Sequence, residues 1–342
     1  MNLDTPVLVT GASGYIALHV IRQLLDAGHR VRGTVRSLAR EAELRAALGD
    51  PDGERLSFVT ADLTADAGWD EAVAGCSHVV HTASPVPLRN PEHVDALIPE
   101  ARDGALRVLR AAHEAGVRRV VMTSSVAAVY AGSQQPIEGD RFSEADWSRT
   151  DGPISAYAKS KTVAEQAAWD FIAGLPEDRP MELATINPSL VLGPTLAQDQ
   201  SASVEVVRRL LARETPGCPR LGWTLVDVRD VAAAHITALT APEAAGHRYI
   251  CAHEFRWIGD VADLLERHLA GSGRRIPTRR LPDWLVRLVG LFDPTIRMVV
   301  SDLGVRKDFD TSAIRRDLAW TPRPLEQTIT DCADSLIAKG VV

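Results

Sequence analysis

The chain has 342 residues, 45% of them apolar and 24% charged, a balance ordinary for a globular protein with room for two domains or one elaborated domain. Its formal net charge of −7 argues against a nucleic-acid-binding face, because neutralising phosphates takes a basic surface. No apolar run approaches the roughly 20 residues needed to span a bilayer, and the first residues lack the basic-then-apolar order of a secretion signal. These features lead us to expect a cytoplasmic protein with no membrane partner. The four cysteines, Cys76, Cys218, Cys251 and Cys332, are widely spaced, which predicts reduced and mostly buried thiols.

In chain order, Val7 to Val9 reads as a first strand. From Tyr15 to Ala27 apolar residues recur at Ile16, Val20 and Leu24, which predicts one apolar helical face, stopped by Gly28. His29 to Val35 reads as the second strand. The unit then repeats, with strands predicted over 57–60, 78–82, 119–123 and 182–187 and helices over 69–74, 100–115 and 156–173. This alternation predicts an α/β fold, a doubly wound Rossmann-type parallel sheet. Past Asn187 the alternation decays among prolines and glycines, although Arg248 to Cys251 again reads as a strand. The expected organisation is therefore interleaved: residues 1–188 with 225–252 form a nucleotide-binding domain, and 189–224 with 253–342 a smaller substrate-binding region. The arginines between Arg274 and Arg280 read as a solvated loop.

The turn Gly11-Ala12-Ser13-Gly14 joins the first strand to the first helix, in the stretch "VTGASGYIA". Glycines there let the backbone turn sharply and approach a pyrophosphate seated on the helix N-terminus, and Ser13 can add a hydroxyl donor. The third glycine of the usual pattern serves helix-on-strand packing, so Ala17, the next smallest residue, costs little. An acid that binds the ribose is expected about 20 residues further on. Instead "RVRGTVRS" carries Arg32 and Arg36 and no carboxylate. An arginine at a strand end can bind a 2′-phosphate that an acid would repel, so the predicted cofactor is NADP(H), with Arg36 as its reader and Arg40 as a second contact. Asp62 and Leu63 follow the third strand, where an acid can accept from an adenine amino group and an apolar neighbour can cover the ring. Asp62 could equally cap a helix over 64–71.

Tyr157-Ala-Lys-Ser-Lys161 sets a phenol and an ammonium four residues apart on one helical face. A tyrosine near pKa 10 is a poor acid–base group at neutral pH, and a nearby cation favours its phenolate. Ser124 and Ser125 close the strand "RRVVMTSS" at the carboxyl end of the sheet, where such folds place ligands. A serine there can donate to a substrate carbonyl beside a tyrosine proton donor.

Taken together, "VTGASGYIALHVIRQLLDAGHRVRGTVRS", "HTASPV", "VVMTSSVAAVY", "YAKSKTVAEQAAWDF", "NPSLVLGP", "LVDVRDVAAAHI" and "LAWTPR" resemble the extended short-chain dehydrogenase/reductases, specifically the dihydroflavonol 4-reductase-like aldehyde and ketone reductases. The resemblance spans nearly the whole chain. It implies that Gly11, Ser13, Gly14, Tyr15 and Ile16 hold the pyrophosphate, Arg36 the 2′-phosphate, and Asp62 and Leu63 the adenine. Thr82, Ala83, Ser84 and Thr123 would line the dinucleotide channel, and Pro188, Ser189, Leu190 and Val191 would meet the nicotinamide amide. Tyr157 would donate the proton, Ser125 orient the carbonyl, and Lys161 lower the tyrosine pKa and bind the nicotinamide ribose. Pro85, Val86, Val126 and Ala127 would line the substrate pocket beside Ser125 and Tyr157. One departure concerns an asparagine that relatives use in a proton relay: Asp103 stands in that segment, "ARDGALRVL".

The reading is an NADPH-dependent carbonyl reductase, reversible as an alcohol dehydrogenase, acting on a small molecule as a monomer or homodimer. An NAD-dependent nucleotide-sugar epimerase or dehydratase shares the Tyr/Lys pair, but Arg36 counts against it. A 3β-hydroxysteroid-type dehydrogenase is a third candidate, and an NADP-binding redox sensor would tend to lose Tyr157 and Lys161. No G-x-S-x-G elbow points to a hydrolase, and no histidine sits in metal-ligand spacing, so no metal is expected.

Overall fold

The computed structural model describes residues 5–50, 53–85, 91, 93–132, 139–197, 203–292 and 300–342. The first half alternates as its periodicity predicts: β1 (Val7–Thr10), α1 (Tyr15–Asp26), β2 (Val31–Val35), α2 (Glu41–Leu48), β3 (Leu56–Thr60), α3 (Trp69–Val73), β4 (His78–His81), α4 (Gly104–Glu114), β5 (Arg119–Thr123), α5 (Ala127–Tyr130), α6 (Ala156–Ala173) and β6 (Glu182–Pro188). There follow β7 (Leu190–Leu192), α7 (Glu205–Leu211), β8 (Gly222–Asp227), α8 (Val228–Ala238), β9 (Arg248–Cys251), β10 (Glu254–Trp257), α9 (Ile258–His268), α10 (Asp283–Val289), α11 (Ser312–Leu318) and α12 (Leu325–Ala338). Gly28, at φ +85°, ends α1, and its N–H closes on the Leu25 carbonyl.

Two compact units result. The first comprises residues 1–188, 228–251 and 309–321, and the second residues 189–227, 252–308 and 322–342. The first unit is built on a seven-stranded sheet of order β3-β2-β1-β4-β5-β6-β9, every pairing parallel. Leu8, Val79, Val120 and Leu183 lie side by side across four strands, each no more than 1% exposed. Burying each contributes about 2 kcal/mol, so this row alone ties β1, β4, β5 and β6 into one layer. Parallel strands covered on both faces read as continuous apolar runs, which is why β1, β4 and β5 were legible. The strand order reverses between β1 and β4, the switch point where doubly wound sheets open a ligand crevice at their carboxyl ends.

In the second unit β10, β8 and β7 form a three-stranded mixed sheet, with α12 packed against α7, α9 and β8. The segment expected as a solvated loop is partly tied down in this unit. The Arg279 carbonyl and the Leu281 N–H pair with the backbone of Cys218, and Arg280 forms an ion pair with Asp263 at 2.6 Å. All four cysteines are buried, and none is in a disulfide.

Candidate active site

The glycine turn leaves β1 at the switch point. Gly11 sits at φ +65°, a conformation that favours glycine, and a Cβ there would stand 3.1 Å from the backbone of Ala83. Its N–H donates to Thr34 Oγ1 at 3.0 Å, and the Gly14 N–H donates to the Gly11 carbonyl at 2.8 Å. Gly14 caps α1 without any side-chain bond, and the first turn of the helix holds no acid. An uncapped, acid-free helix start beside a turn of small residues fits a dinucleotide pyrophosphate. Ser13 is exposed and Ile16 half-buried, whereas the Tyr15 ring is buried edge-on to His19, so Tyr15 can offer a phosphate only its backbone. Ala17 is 1% exposed, consistent with a packing position that tolerates alanine.

At the end of β2 the two arginines part company. The Arg32 guanidinium donates to the carbonyls of Glu71, Ala72 and Ala74, closing the end of α3. Arg36 is exposed just beyond the strand, near enough to Asp62 that its charge helps to hold that carboxyl down. The larger cause is Thr64, whose hydroxyl and N–H both donate to Asp62 Oδ1, at 2.6 and 2.8 Å. Asp62 therefore caps a turn, and the helix begins later, at Trp69. The Leu63 side chain is buried in the core, where Gly104 leaves room for it: a Cβ on Gly104 would lie 2.8 Å from that of Leu63. Arg40 is bound bidentately to Glu43 at 2.7 and 2.8 Å.

Thr82, Ala83, Ser84 and Pro85 run half-buried from the end of β4, with the Thr82 hydroxyl on the Thr10 carbonyl and the Ala83 N–H on Thr10 Oγ1; Val86 lies outside the described residues. Pro188 closes β6, and its carbonyl accepts from the Val126 N–H. Ser189, Leu190 and Val191 begin the second unit, and the Ser189 hydroxyl is buried with no hydrogen-bond partner among the described residues. Asp103 ends a π-helical turn over Pro99–Asp103 that leads into α4, and its carboxylate is bound to Arg102 at 2.7 Å. No contact with Lys161 accompanies it.

The two serines that follow β5 meet different partners. Ser124 donates inward to Glu165 at 2.5 Å. Ser125, 8% exposed, accepts the Ala127 N–H at 3.1 Å, with Val126 and Ala127 buried beside it, and its side chain stands near enough to Tyr157 to favour the phenolate. Tyr157 is half-buried; desolvation raises its pKa above that of a free phenol, and Ser125 partly offsets the rise. Lys161, 4% exposed, donates to the Thr123 carbonyl at 3.1 Å, and burial pulls its pKa down to about 8 against the opposing charge of Glu165. At Tyr157 the side chain of Ser125 counters burial.

Two buried histidines flank this lysine. His81 Nδ1 meets Thr10 Oγ1 at 2.8 Å, and His235 bonds the Thr123 hydroxyl through Nε2 at 2.7 Å and the Val231 carbonyl through Nδ1 at 2.8 Å. Burial, with the Lys161 charge adding to it, drives His81 down to about 3 and His235 to about 4. Both rings are neutral in the fold, while the unfolded chain takes up protons near pH 6.5. Stability present above pH 6.5 is thus lost as pH falls toward those folded values, by up to about 1.4 kcal/mol per pH unit for each ring. Thermal unfolding followed by circular dichroism between pH 7 and 4.5 should show this fall, and His235→Gln should make it shallower. An unchanged slope would remove His235 from the account.

The sequence model of the NAD dependent epimerase/dehydratase family matches residues 7–252, from the glycine turn to the last strand of the sheet. The chain belongs to this family, within the extended short-chain dehydrogenase/reductases. Among curated relatives, cinnamoyl-CoA reductase 1 of Arabidopsis thaliana is 39% identical over 76% of this chain and 74% of its own. Tetraketide alpha-pyrone reductase 1 of the same plant is 34% identical over 98% and 96%. Among solved structures, the yeast methylglyoxal/isovaleraldehyde reductase Gre2 complexed with NADPH superposes with a TM-score of 0.80 at 27% identity, covering 98% of this chain and 100% of that one. The family is one of nicotinamide-cofactor enzymes, and the relatives named here are reductases. Among the described residues no helix is long and apolar enough to cross a membrane.

Proposed function

We propose that the protein is an NADPH-dependent carbonyl reductase that converts aldehydes or ketones to alcohols and runs in reverse as an alcohol dehydrogenase. The observation that carries this reading is the joining of Ser125, Tyr157 and Lys161 at the carboxyl end of the sheet, beside a glycine turn whose backbone suits a pyrophosphate. The relatives named as reductases, one of them in complex with NADPH, support it.

Gly11, Ser13, Gly14 and the backbone of Tyr15 and Ile16 would hold the pyrophosphate. Arg36 would bind the 2′-phosphate, and Arg40 could join it on leaving Glu43. Asp62 and Leu63 would bound the adenine, with Thr82, Ala83, Ser84 and Thr123 along the channel and Pro188, Ser189, Leu190 and Val191 near the nicotinamide amide. When bound, the reduced nicotinamide supplies a hydride to the carbonyl carbon. Tyr157, whose burial keeps its proton on, is the donor to the carbonyl oxygen. Ser125 orients that oxygen through its hydroxyl, and the Lys161 ammonium, pinned by the Thr123 carbonyl, would bind the nicotinamide ribose and favour the phenolate left after transfer. Pro85, Val86, Val126 and Ala127 would give the substrate an apolar wall.

The test is a steady-state assay with NADPH and with NADH across aldehydes, ketones and UDP-sugars. Consumption of NADPH with aldehydes or ketones is the expected result. Turnover of UDP-sugars without net cofactor consumption would replace this reading with that of an epimerase.

A further inference from the structure

Glu165, four residues after Lys161 on α6, is fully buried. Around its carboxylate stand the hydroxyls of Ser124 (2.5 Å) and Thr185 (2.9 Å), the Asn187 amide (2.8 Å) and Arg248 Nε (2.7 Å). Arg248, 9% exposed, lies 3.6 Å over the Trp147 ring and gives Nη1 to the carbonyls of Glu144 and Asp146 at 2.7 and 2.9 Å. The Asn187 amide also reaches the Ser125 carbonyl at 3.3 Å. One carboxylate thus joins the three elements that carry the site: the end of β5 with Ser125, the end of β6, and α6 with Tyr157 and Lys161.

Stability alone is a poor reason for such a cluster, since a buried ion pair replaced by well-packed apolar residues is often neutral or stabilising. We propose that Glu165, anchored by Arg248, is a positioning residue for carbonyl reduction: it fixes the Ser125 turn against α6 and supplies the negative charge one helical turn from Lys161. This rests on the reductase reading above. The other groups around Lys161 are Tyr157, one turn before it on α6, His81 from β4, His235 from α8 and the Thr123 carbonyl from β5; the phenol is protonated and both imidazoles are neutral, so the anion beside the lysine is Glu165.

The experiment compares wild type, Glu165→Gln, Glu165→Asp, the double variant Glu165→Gln/Arg248→Met, and Tyr157→Phe in NADPH-dependent carbonyl reduction across pH 6 to 10, with thermal unfolding as the folding control. Glu165→Gln is expected to lower kcat by about ten- to a hundredfold, as misplacing reacting groups does, with KM for NADPH changed less than about twofold. Its alkaline limb of kcat/KM should move to lower pH, because the charge that holds Lys161 protonated is gone. Glu165→Asp, which keeps the charge and shortens the reach, should restore the limb and leave kcat low. A purely structural role would move neither the limb nor the split between kcat and KM. If Glu165→Gln fails to fold, the double variant, which buries no unpaired charge, gives the same readout. Wild-type kcat and limb in a folded Glu165→Gln or in the double variant overturns the proposal, as does failure of all three Glu165 variants to fold. A wild type without carbonyl reduction, or a fully active Tyr157→Phe, overturns the reductase reading itself and this proposal with it.

Discussion

Tyr157→Phe is expected to lower kcat for carbonyl reduction by roughly 10²- to 10⁴-fold, the usual contribution of a positioned acid–base group. The phenyl ring fills the same space and only the hydroxyl beside Ser125 is lost, so the variant should fold and unfold within a few degrees of wild type. Burial keeps the tyrosine protonated through neutral pH, as a donor to a carbonyl oxygen needs to be. Ser124 is committed to Glu165, and the Thr123 hydroxyl to His235. Cofactor affinity, measured by quenching of protein fluorescence on titration with NADPH, should be little changed. Full activity in the phenylalanine variant would end the proposed mechanism.

The second large effect is expected at Arg36. Its replacement by alanine should raise KM for NADPH about ten- to a hundredfold, the loss of one or two charge-assisted hydrogen bonds worth about 1.5–3 kcal/mol each at most, and leave KM for NADH nearly unchanged. Arg32, on the same strand, cannot substitute, because its guanidinium closes the end of α3 through three carbonyls. Arg40→Ala should have a smaller effect, since in the free protein that side chain is already held by Glu43. The loss at Arg36 should also shrink as salt is raised, since the contact is an exposed charge pair. An NADPH preference unmoved by Arg36→Ala would reassign the cofactor's reader.

Much of the first unit was legible from periodicity. The strands over Arg119–Thr123 and Arg248–Cys251 and the helix over Ala156–Ala173 fall where the apolar spacing set them. The helix over Glu41–Leu48 escaped notice because only Leu44 and Leu48 of it are buried, too few to mark a face. Two strands of the second sheet escaped for another reason: β7 has three residues, and β10 follows β9 almost at once, so neither carries a run long enough to read. Glu165 could have been suspected as a charged residue within "VAEQAAW", but its chief partner, Arg248, lies 83 residues away and nothing local points to it.

The sequence by itself determined the parallel sheet, the glycine turn after its first strand and the four-residue spacing of Tyr157 and Lys161, because each depends on local backbone geometry and on apolar spacing within a single element. Only the tertiary structure decided which of two adjacent serines meets the tyrosine, which of two strand arginines is left exposed, and that Lys161 rests on the Thr123 carbonyl with Glu165 behind it. Those outcomes depend on which partners packing brings within about 3 Å of a polar atom, and a buried donor or acceptor goes to the partner that its neighbours in space, not in sequence, provide.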